Sequence, residues 1–281
     1  LDAAAACDMR NRSHISSYIE KTGAVKKVFE LALESTTLQN QRYRGDWFSC
    51  TSLVKNNTNN NYKNDGMSSV VQISTLAIFR TVESMPTLCK SWWSDYCPRS
   101  LQSTVTKFVE SSVAPETLRR ELTRINKASN LGELIVNGSC VSREVTATYI
   151  QDECKLSVLI SIPASFPLRN VRVDCEKSLG INEKRWRHWS LQIMQMLNSQ
   201  DGSVLDALLL WKQNVDKEFE GIEPCPVCYS VLCVKTHAMP NLECKTCSNR
   251  FHSSCLYKWF SSSGKNSCVI CQQPWSGFKV A

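Results

Sequence analysis

"CSNRFHSSCLYKWF", residues 247–260, sets Cys247, His252 and Cys255 within nine residues and runs straight on into helix-forming apolar residues. Soft metal ligands at that density point to an ion held by the chain. The wider region repeats the theme: Cys225-x2-Cys228, fifteen residues, Cys244-x2-Cys247, four residues, His252-x2-Cys255, twelve residues, Cys268-x2-Cys271. Zinc takes four tetrahedral sulfur or nitrogen ligands, with Zn–S at roughly 2.3 Å, and a two-residue gap lets both side chains of a tight turn reach one ion. Four such pairs within 47 residues supply eight ligands, enough for two closed sites. Closed four-ligand sites hold a fold and leave no coordination position for substrate. Spacing alone leaves the partnership open. Neighbouring pairs sharing a metal would make two successive ribbons or knuckles; first with third and second with fourth would make an interleaved cross-brace. Cys233 is left over in the long first loop and reads as a bystander.

Working outward, the 281-residue chain is long enough for two or three domains. Its hydrophobic share of 42% and charged share of 21% are those of globular protein, and no apolar run approaches the ~20 residues needed to cross a bilayer, so no membrane partner is expected. There is no initiator Met and no signal-peptide pattern, and the start "LDAAAAC" reads as part of a longer polypeptide. A net charge of +7 mildly favours acidic partners such as RNA or surfaces of the ubiquitin system. Seven of the 15 cysteines (Cys7, Cys50, Cys89, Cys97, Cys140, Cys154, Cys175) are scattered without pairing rhythm and read as small buried hydrophobes in a reducing compartment. A cytoplasmic location is therefore expected.

Residues 1–135 have helical periodicity. "GAVKKVFELALES" places Val25, Val28, Phe29 and Leu33 on one face; "SVVQISTLAIFRTV" does so with Val70, Ile73, Leu76, Phe79 and Val82; "LQSTVTKFVESSV" follows with Leu101, Val105, Phe108 and Val109. The Asn-rich stretch 55–66 between the first two reads as a solvated loop. Such successive amphipathic helices suit an α-solenoid fragment, without a repeat period to prove it. Near residue 140 the period changes. "REVTATYIQ", "CKLSVLISIP" and "VRVDC" read as three strands, the second alternating Leu156, Val158, Ile160 and Ile162 against Ser157 and Ser161. Helical period then returns with Trp186, Trp189, Ile193 and Leu197 on one face. Ser203 is placed to cap a last helix carrying Leu205, Leu208, Leu209, Val215 and Phe219, which Gly221 and Pro224 end. Residues 136–220 thus read as a small α+β domain, and 221–281 as the cysteine-rich finger.

The finger resembles RING domains, with ligands in C4HC3 order. That resemblance implies Cys225, Cys228, His252 and Cys255 on one zinc and Cys244, Cys247, Cys268 and Cys271 on the other. PHD fingers, which read histone tails, use the same order, so a non-enzymatic C4HC3 interaction module is the competing reading. Three residues favour RING. Val227 lies where RING domains present an apolar side chain to an E2 enzyme. Trp259 lies four residues past Cys255, where they carry an E2-packing tryptophan. Asn266 stands where PHD fingers carry an aromatic. Trp259 also admits a reading as a local core residue. Two positions depart from the RING pattern: Val269 where Pro is frequent, and Gln272 where Arg or Lys usually bonds both E2 and ubiquitin.

Longer phrases, "MPTLCKSWWSDYC" (85–97), "REVTATYIQDECKLSVLISIPASFPL" (143–168), "WRHWSLQIMQMLNSQDGSVLDALLLWKQNVDKEFEGIEPCPVCYSV" (186–231) and "KTCSNRFHSSCLYKWFSSSGKNSC" (245–268), are similar to the C-terminal region of the listerin family of RING ligases. The resemblance implies a HEAT/ARM-like solenoid end (1–135), an RWD domain (136–220) and a RING (221–281). It also implies an E3 ubiquitin ligase that recruits ubiquitin-loaded E2 and directs ubiquitin to stalled nascent chains on the large ribosomal subunit in the cytosol. The stretch 169–188, with six Lys/Arg against three Asp/Glu, suits rRNA phosphates and equally suits a solvated helix. A covalent relay through Cys233 is the other enzyme class, and nothing in the sequence sets a base beside it.

Overall fold

The computed structural model of the chain describes residues 9–40, 69–128, 131–132, 134–152, 154–177 and 181–276. The Asn-rich stretch, Cys7 and Cys50 lie outside the described residues. A helical segment comes first. Helices α1 (Met9–Thr22) and α2 (Ala24–Asn40) are hinged at Gly23, whose φ of +63° suits a residue without a Cβ. Then come α3 (Ser69–Ser84) and α4 (Pro86–Asp95). Helix α5 (Arg99–Phe108) continues through a π-helical turn (Val109–Val113) into α6 (Ala114–Lys127). Their core is Phe29, Phe79, Trp92, Phe108 and Val109, with the Phe29 and Trp92 rings stacked at 4.2 Å. Two residues expected on the buried faces are exposed. Ile73 is 67% accessible and Val28 faces out, while Ala32 and Ile78 fill the core instead. Among the described side chains of α2, Val25, Phe29 and Ala32 are buried, spaced four and three apart, while Leu33 of the expected face lies outside them.

The α+β domain holds four antiparallel strands in the order β1 (Leu134–Ser139), β2 (Glu144–Gln151), β3 (Cys154–Ser161) and β4 (Arg172–Lys177). Three strands were expected; β1 is the addition. Its "LIVNGS" carries Asn and Gly, poor strand formers that mimic a turn. At Gly138 a Cβ would lie 2.1 Å from Leu122 Cδ2 of α6, so any larger residue there would have to displace that side chain. Helices α7 (Glu183–Ser199) and α8 (Val204–Phe219) cover one face. Asn182 caps α7, and Ser203 with Asp206 closes a full capping box on α8. Leu156, Val158 and Ile160 meet Trp186, Ile193, Leu208 and Trp211 in the core, with Trp186 edge-on to Trp211 at 6.2 Å. Ser157 is buried against expectation, its hydroxyl paired with Thr148 at 3.2 Å across the strands.

Helical segment and sheet share their packing. Leu118 and Ile125 of α6 belong to the α+β core, while Leu168, just past the cis Phe166–Pro167 bond, packs into the helical one. Charges line the junction. Glu116 accepts from Arg119 at 2.7 Å and Arg120 at 2.9 Å, Arg120 also reaches Glu83, and Val204 N–H donates to Glu121 at 2.9 Å. A cleft of about 220 Å³ opens there, lined among others by Glu83, Arg120, Glu121 and Val204, whose polar groups are already paired. The finger follows as β5 (Leu242–Glu243), β6 (Arg250–Phe251) and α9 (Ser253–Ser263), which Gly264 ends at φ +64°. No helix among the described residues is long and apolar enough to cross a membrane.

Candidate functional site

The finger is built from one repeated turn. In each Cys-x2-Cys pair the first cysteine's N–H donates to the carbonyl five residues on: Cys225 to Ser230 (3.0 Å), Cys244 to Asn249 (3.0 Å), Cys268 to Gln273 (2.9 Å). Its carbonyl accepts from the residue four on: Tyr229 (2.7 Å), Ser248 (2.8 Å), Gln272 (3.0 Å). That fourth residue is left-handed in every case, at φ 57°, 58° and 57°. A non-glycine residue there costs about 1 kcal/mol or more, and the paired hydrogen bonds and converging ligands offset it. A further turn shares the pattern. Cys233 N–H donates to Ala238 (3.0 Å), and His237, at φ 54°, donates back to Cys233 (2.6 Å), with Thr236 standing where the second thiol would be.

These turns bring eight donors together as two fours. Cys225, Cys228, His252 and Cys255 form one cluster, Cys244, Cys247, Cys268 and Cys271 the other, and within each the donor atoms lie within 4.8 Å of one another. The sets interleave along the chain, which is the cross-brace of the two arrangements that spacing left open. His252 Nδ1 lies 3.2 Å from Cys228 Sγ and 3.8 Å from Cys255 Sγ. Its Nε2 is 3.0 Å from the Val231 carbonyl, which can only accept, so the proton sits on Nε2 and the Nδ1 lone pair faces the sulfurs. Thiolate and imidazole in fours suit a soft ion in tetrahedral coordination.

The electrostatics match that reading. Burial, followed by the neighbouring Cys228 and Cys225 sulfurs, pushes the Cys255 thiol up to about 12, and burial likewise takes Cys268 to about 12. Crowded thiols resist ionisation until a divalent cation compensates them. Burial opposes ionisation at Cys247 too, but hydrogen bonds led by Asn249 lower it to about 6. At Cys233 burial is again outweighed, by hydrogen bonds from Ser254, Thr236 and Lys235, and the thiol falls to about 7. Cys233 is buried, its sulfur 3.1 Å from the Ser254 hydroxyl.

Among the residues expected to face an E2, Val227 is 37% accessible and Gln272 is exposed. Trp259 on α9 is half-buried and donates from Nε1 to the Ser267 carbonyl at 3.1 Å, tying the helix to the loop before Cys268. Val269 is half-buried against the finger's small core of Leu242, Phe251 and Leu256. Ile270, 49% accessible between the last two thiols, was passed over in the sequence although it occupies the position that Val227 holds in the first pair. Of the scattered cysteines, Cys89, Cys97 and Cys154 are buried as expected, whereas Cys140 is exposed in the β1–β2 turn. A hairpin tip has no core to enter.

The finger is docked. Asp152, left-handed at the β2–β3 turn, accepts from the N–H groups of Val231 (2.8 Å) and Leu232 (3.3 Å), and both residues pack into the α+β core. Cys154 Sγ of β3 meets His237 Nδ1 at 3.5 Å. Gly221, at φ +74°, therefore begins a connection fixed again ten residues on.

Residues 134–218 match the family model described as ubiquitin conjugating domain-like. The chain is 36% identical over 194 residues to a Gallus gallus protein named E3 ubiquitin-protein ligase listerin, covering 69% of this chain and 11% of that one. The listerin of Schizosaccharomyces pombe is 37% identical over 217 residues (74% and 13%), and that of Saccharomyces cerevisiae 30% identical over 266 residues (90% and 17%). The chain belongs to the listerin family. It spans between a tenth and a fifth of the length of these listerins, as a helical segment, a UBC-like domain and a cysteine-rich finger.

Proposed function

We propose that the chain is the catalytic end of a RING-type E3 ubiquitin-protein ligase. Residues 221–281 act as the RING, 136–220 as an RWD domain of the UBC-like class, and 1–135 as the end of a HEAT/ARM-like solenoid. The observation that carries the reading is the interleaved pair of four-ligand clusters with an apolar side chain, Val227, exposed between the first two thiols. The listerin relatives named as E3 ligases supply the activity class.

Two zinc ions fit the donors, Cys225, Cys228, His252 and Cys255 for one and Cys244, Cys247, Cys268 and Cys271 for the other. Their chemistry is structural: they cross-link turns that have little core of their own. Val227, Trp259, Val269 and Gln272 bind the E2 of an E2~ubiquitin conjugate and restrict it to conformers open to attack. A substrate lysine Nζ, having lost its proton, adds to the thioester carbonyl. The isopeptide bond forms, the C–S bond breaks, and the E2 thiol leaves. The ligase contributes positioning and forms no covalent bond. Cys233 does not act as a relay: it is buried beside the Ser254 hydroxyl, and among the described residues no base is hydrogen-bonded to its sulfur. The acceptors are stalled nascent chains on the large ribosomal subunit in the cytosol, with the basic stretch 169–188 set against rRNA.

Titrating E2 enzymes into the isotope-labelled, zinc-loaded chain tests the partner. Amide shifts at Val227, Ile270 and Gln272 are expected. Silence with every E2, alongside shifts from a histone-tail peptide, would assign the finger to the PHD-like interaction class.

A further inference from the structure

We propose that Asp152 of the UBC-like domain is a positioning residue for the first metal cluster, acting through the Val231–Leu232 peptide on the ligand His252. The inference rests on reading Cys225, Cys228, His252 and Cys255 as metal ligands, and it concerns what holds them from outside the finger.

The chain of contacts is continuous. The peptide unit between Val231 and Leu232 is bonded at both ends: its N–H donates to Asp152 Oδ2 at 3.3 Å, and its C=O accepts the Nε2 proton of His252 at 3.0 Å. The preceding N–H, of Val231, donates to the same Oδ2 at 2.8 Å. A carboxylate pulling on the N–H end polarises the peptide and makes its carbonyl a better acceptor. That strengthens the bond fixing the imidazole tautomer, and with it the basicity of Nδ1 toward the metal. Geometry adds to charge. Asp152 sits left-handed at φ 53°, Val231 is nearly buried and Leu232 fully so, within the UBC-like core, leaving the peptide little freedom to rotate away. Cys154, two residues past Asp152, holds the same loop again through His237.

The bland alternative is an aspartate that merely satisfies two loop amides. It differs in its consequence. A satisfied loop is neutral toward both clusters, whereas a positioning residue is felt only at the cluster containing His252. The second cluster, four thiols with no hydrogen bond to this hairpin among the described residues, is the internal control.

The test loads the full chain with two equivalents of cobalt(II) and follows transfer to excess chelator. Three-sulfur, one-nitrogen and four-sulfur sites have separate absorption bands. In the parent both ions leave slowly. In Asp152→Ala the ion with the nitrogen-containing spectrum leaves about tenfold faster, a typical effect of removing support behind a ligand, while the four-sulfur ion keeps its rate. Asp152→Asn, whose amide oxygen still accepts both N–H groups, stays within about twofold of the parent at both sites. Unchanged rates in Asp152→Ala, equal acceleration at both sites, or an Asn variant as fast as the Ala variant would each overturn the proposal. A parent chain that takes up no cobalt would overturn the metal reading and this inference together.

Discussion

Leu232 belongs by sequence to the finger and by packing to the UBC-like domain, so truncating it measures how firmly the two are joined. Its side chain is fully buried among core residues that include Leu156, Leu208 and Trp211. Leu232→Ala removes about three carbon groups, each contributing about 0.8 kcal/mol of burial, or ~2.4 kcal/mol. A residual cavity adds roughly 24 cal/mol per Å³, and a loop at a domain junction relaxes more than a central strand, so the expected loss is ~2.5–4 kcal/mol. For a cooperative unit of about 200 residues each kcal/mol moves the melting point by about 2–4 °C, giving a fall of ~5–15 °C. Scanning calorimetry of the metal-loaded chain at fixed metal excess reads this, with Leu191→Ala as a control on the exposed face of α7, expected to shift stability by under ~0.5 kcal/mol. If Leu232→Ala melts with the Leu191→Ala control, the finger is a separate body and the docking argument fails.

Gly138→Ala should destabilise by about 1–3 kcal/mol, because its Cβ would meet Leu122 at 2.1 Å; pairing it with Leu122→Ala should recover part of that loss in a denaturant titration. Glu116 is held below the usual carboxylate range by its hydrogen bond from Arg119, with Arg120 adding to it against desolvation. A lowered folded value stabilises above the unfolded value near 4.5 and loses that contribution as pH falls through the folded one. The parent should therefore exceed Glu116→Gln in stability at pH 7, and the gap should close below about pH 4. Cys228→Ser should cost one metal equivalent by elemental analysis and Cys247→Ser the other, each leaving its companion site filled.

The candidate site was legible because its donors are local: two-residue gaps announce ligand turns wherever they stand. The partnership between turns was not, since pairing Cys228 with His252 depends on how a 24-residue excursion folds back. Nor was the docking, which hangs on an ordinary hairpin aspartate with no spacing of its own. Strand β1 hid because Asn137 and Gly138 are poor strand formers, and the close approach of Gly138 to Leu122 of α6 leaves no mark in the sequence. The fourth turn hid because Thr236 replaced its second thiol, although Cys-x2-Thr-His repeats the spacing of Cys-x2-Cys-Tyr at 225–229. Helical faces were read correctly on α5 and α7; on α2 and α3 Val25, Phe29, Phe79 and Val82 are buried as expected, but Val28 and Ile73 face out while Ala32 and Ile78 enter the core.

The central claim is that this finger activates ubiquitin transfer without itself being ubiquitinated as an intermediate. The direct measurement is discharge of a ubiquitin-loaded E2 to free lysine by the zinc-loaded chain, with Val227→Ala and Trp259→Ala beside the parent and zinc content verified in each. The account predicts that the parent accelerates discharge and Val227→Ala loses about tenfold or more of that acceleration at two zinc per chain, consistent with an exposed apolar contact at a binding hot spot. Trp259→Ala is expected to lose it as well. A fully zinc-loaded parent that fails to accelerate discharge with any E2 would contradict the ligase reading.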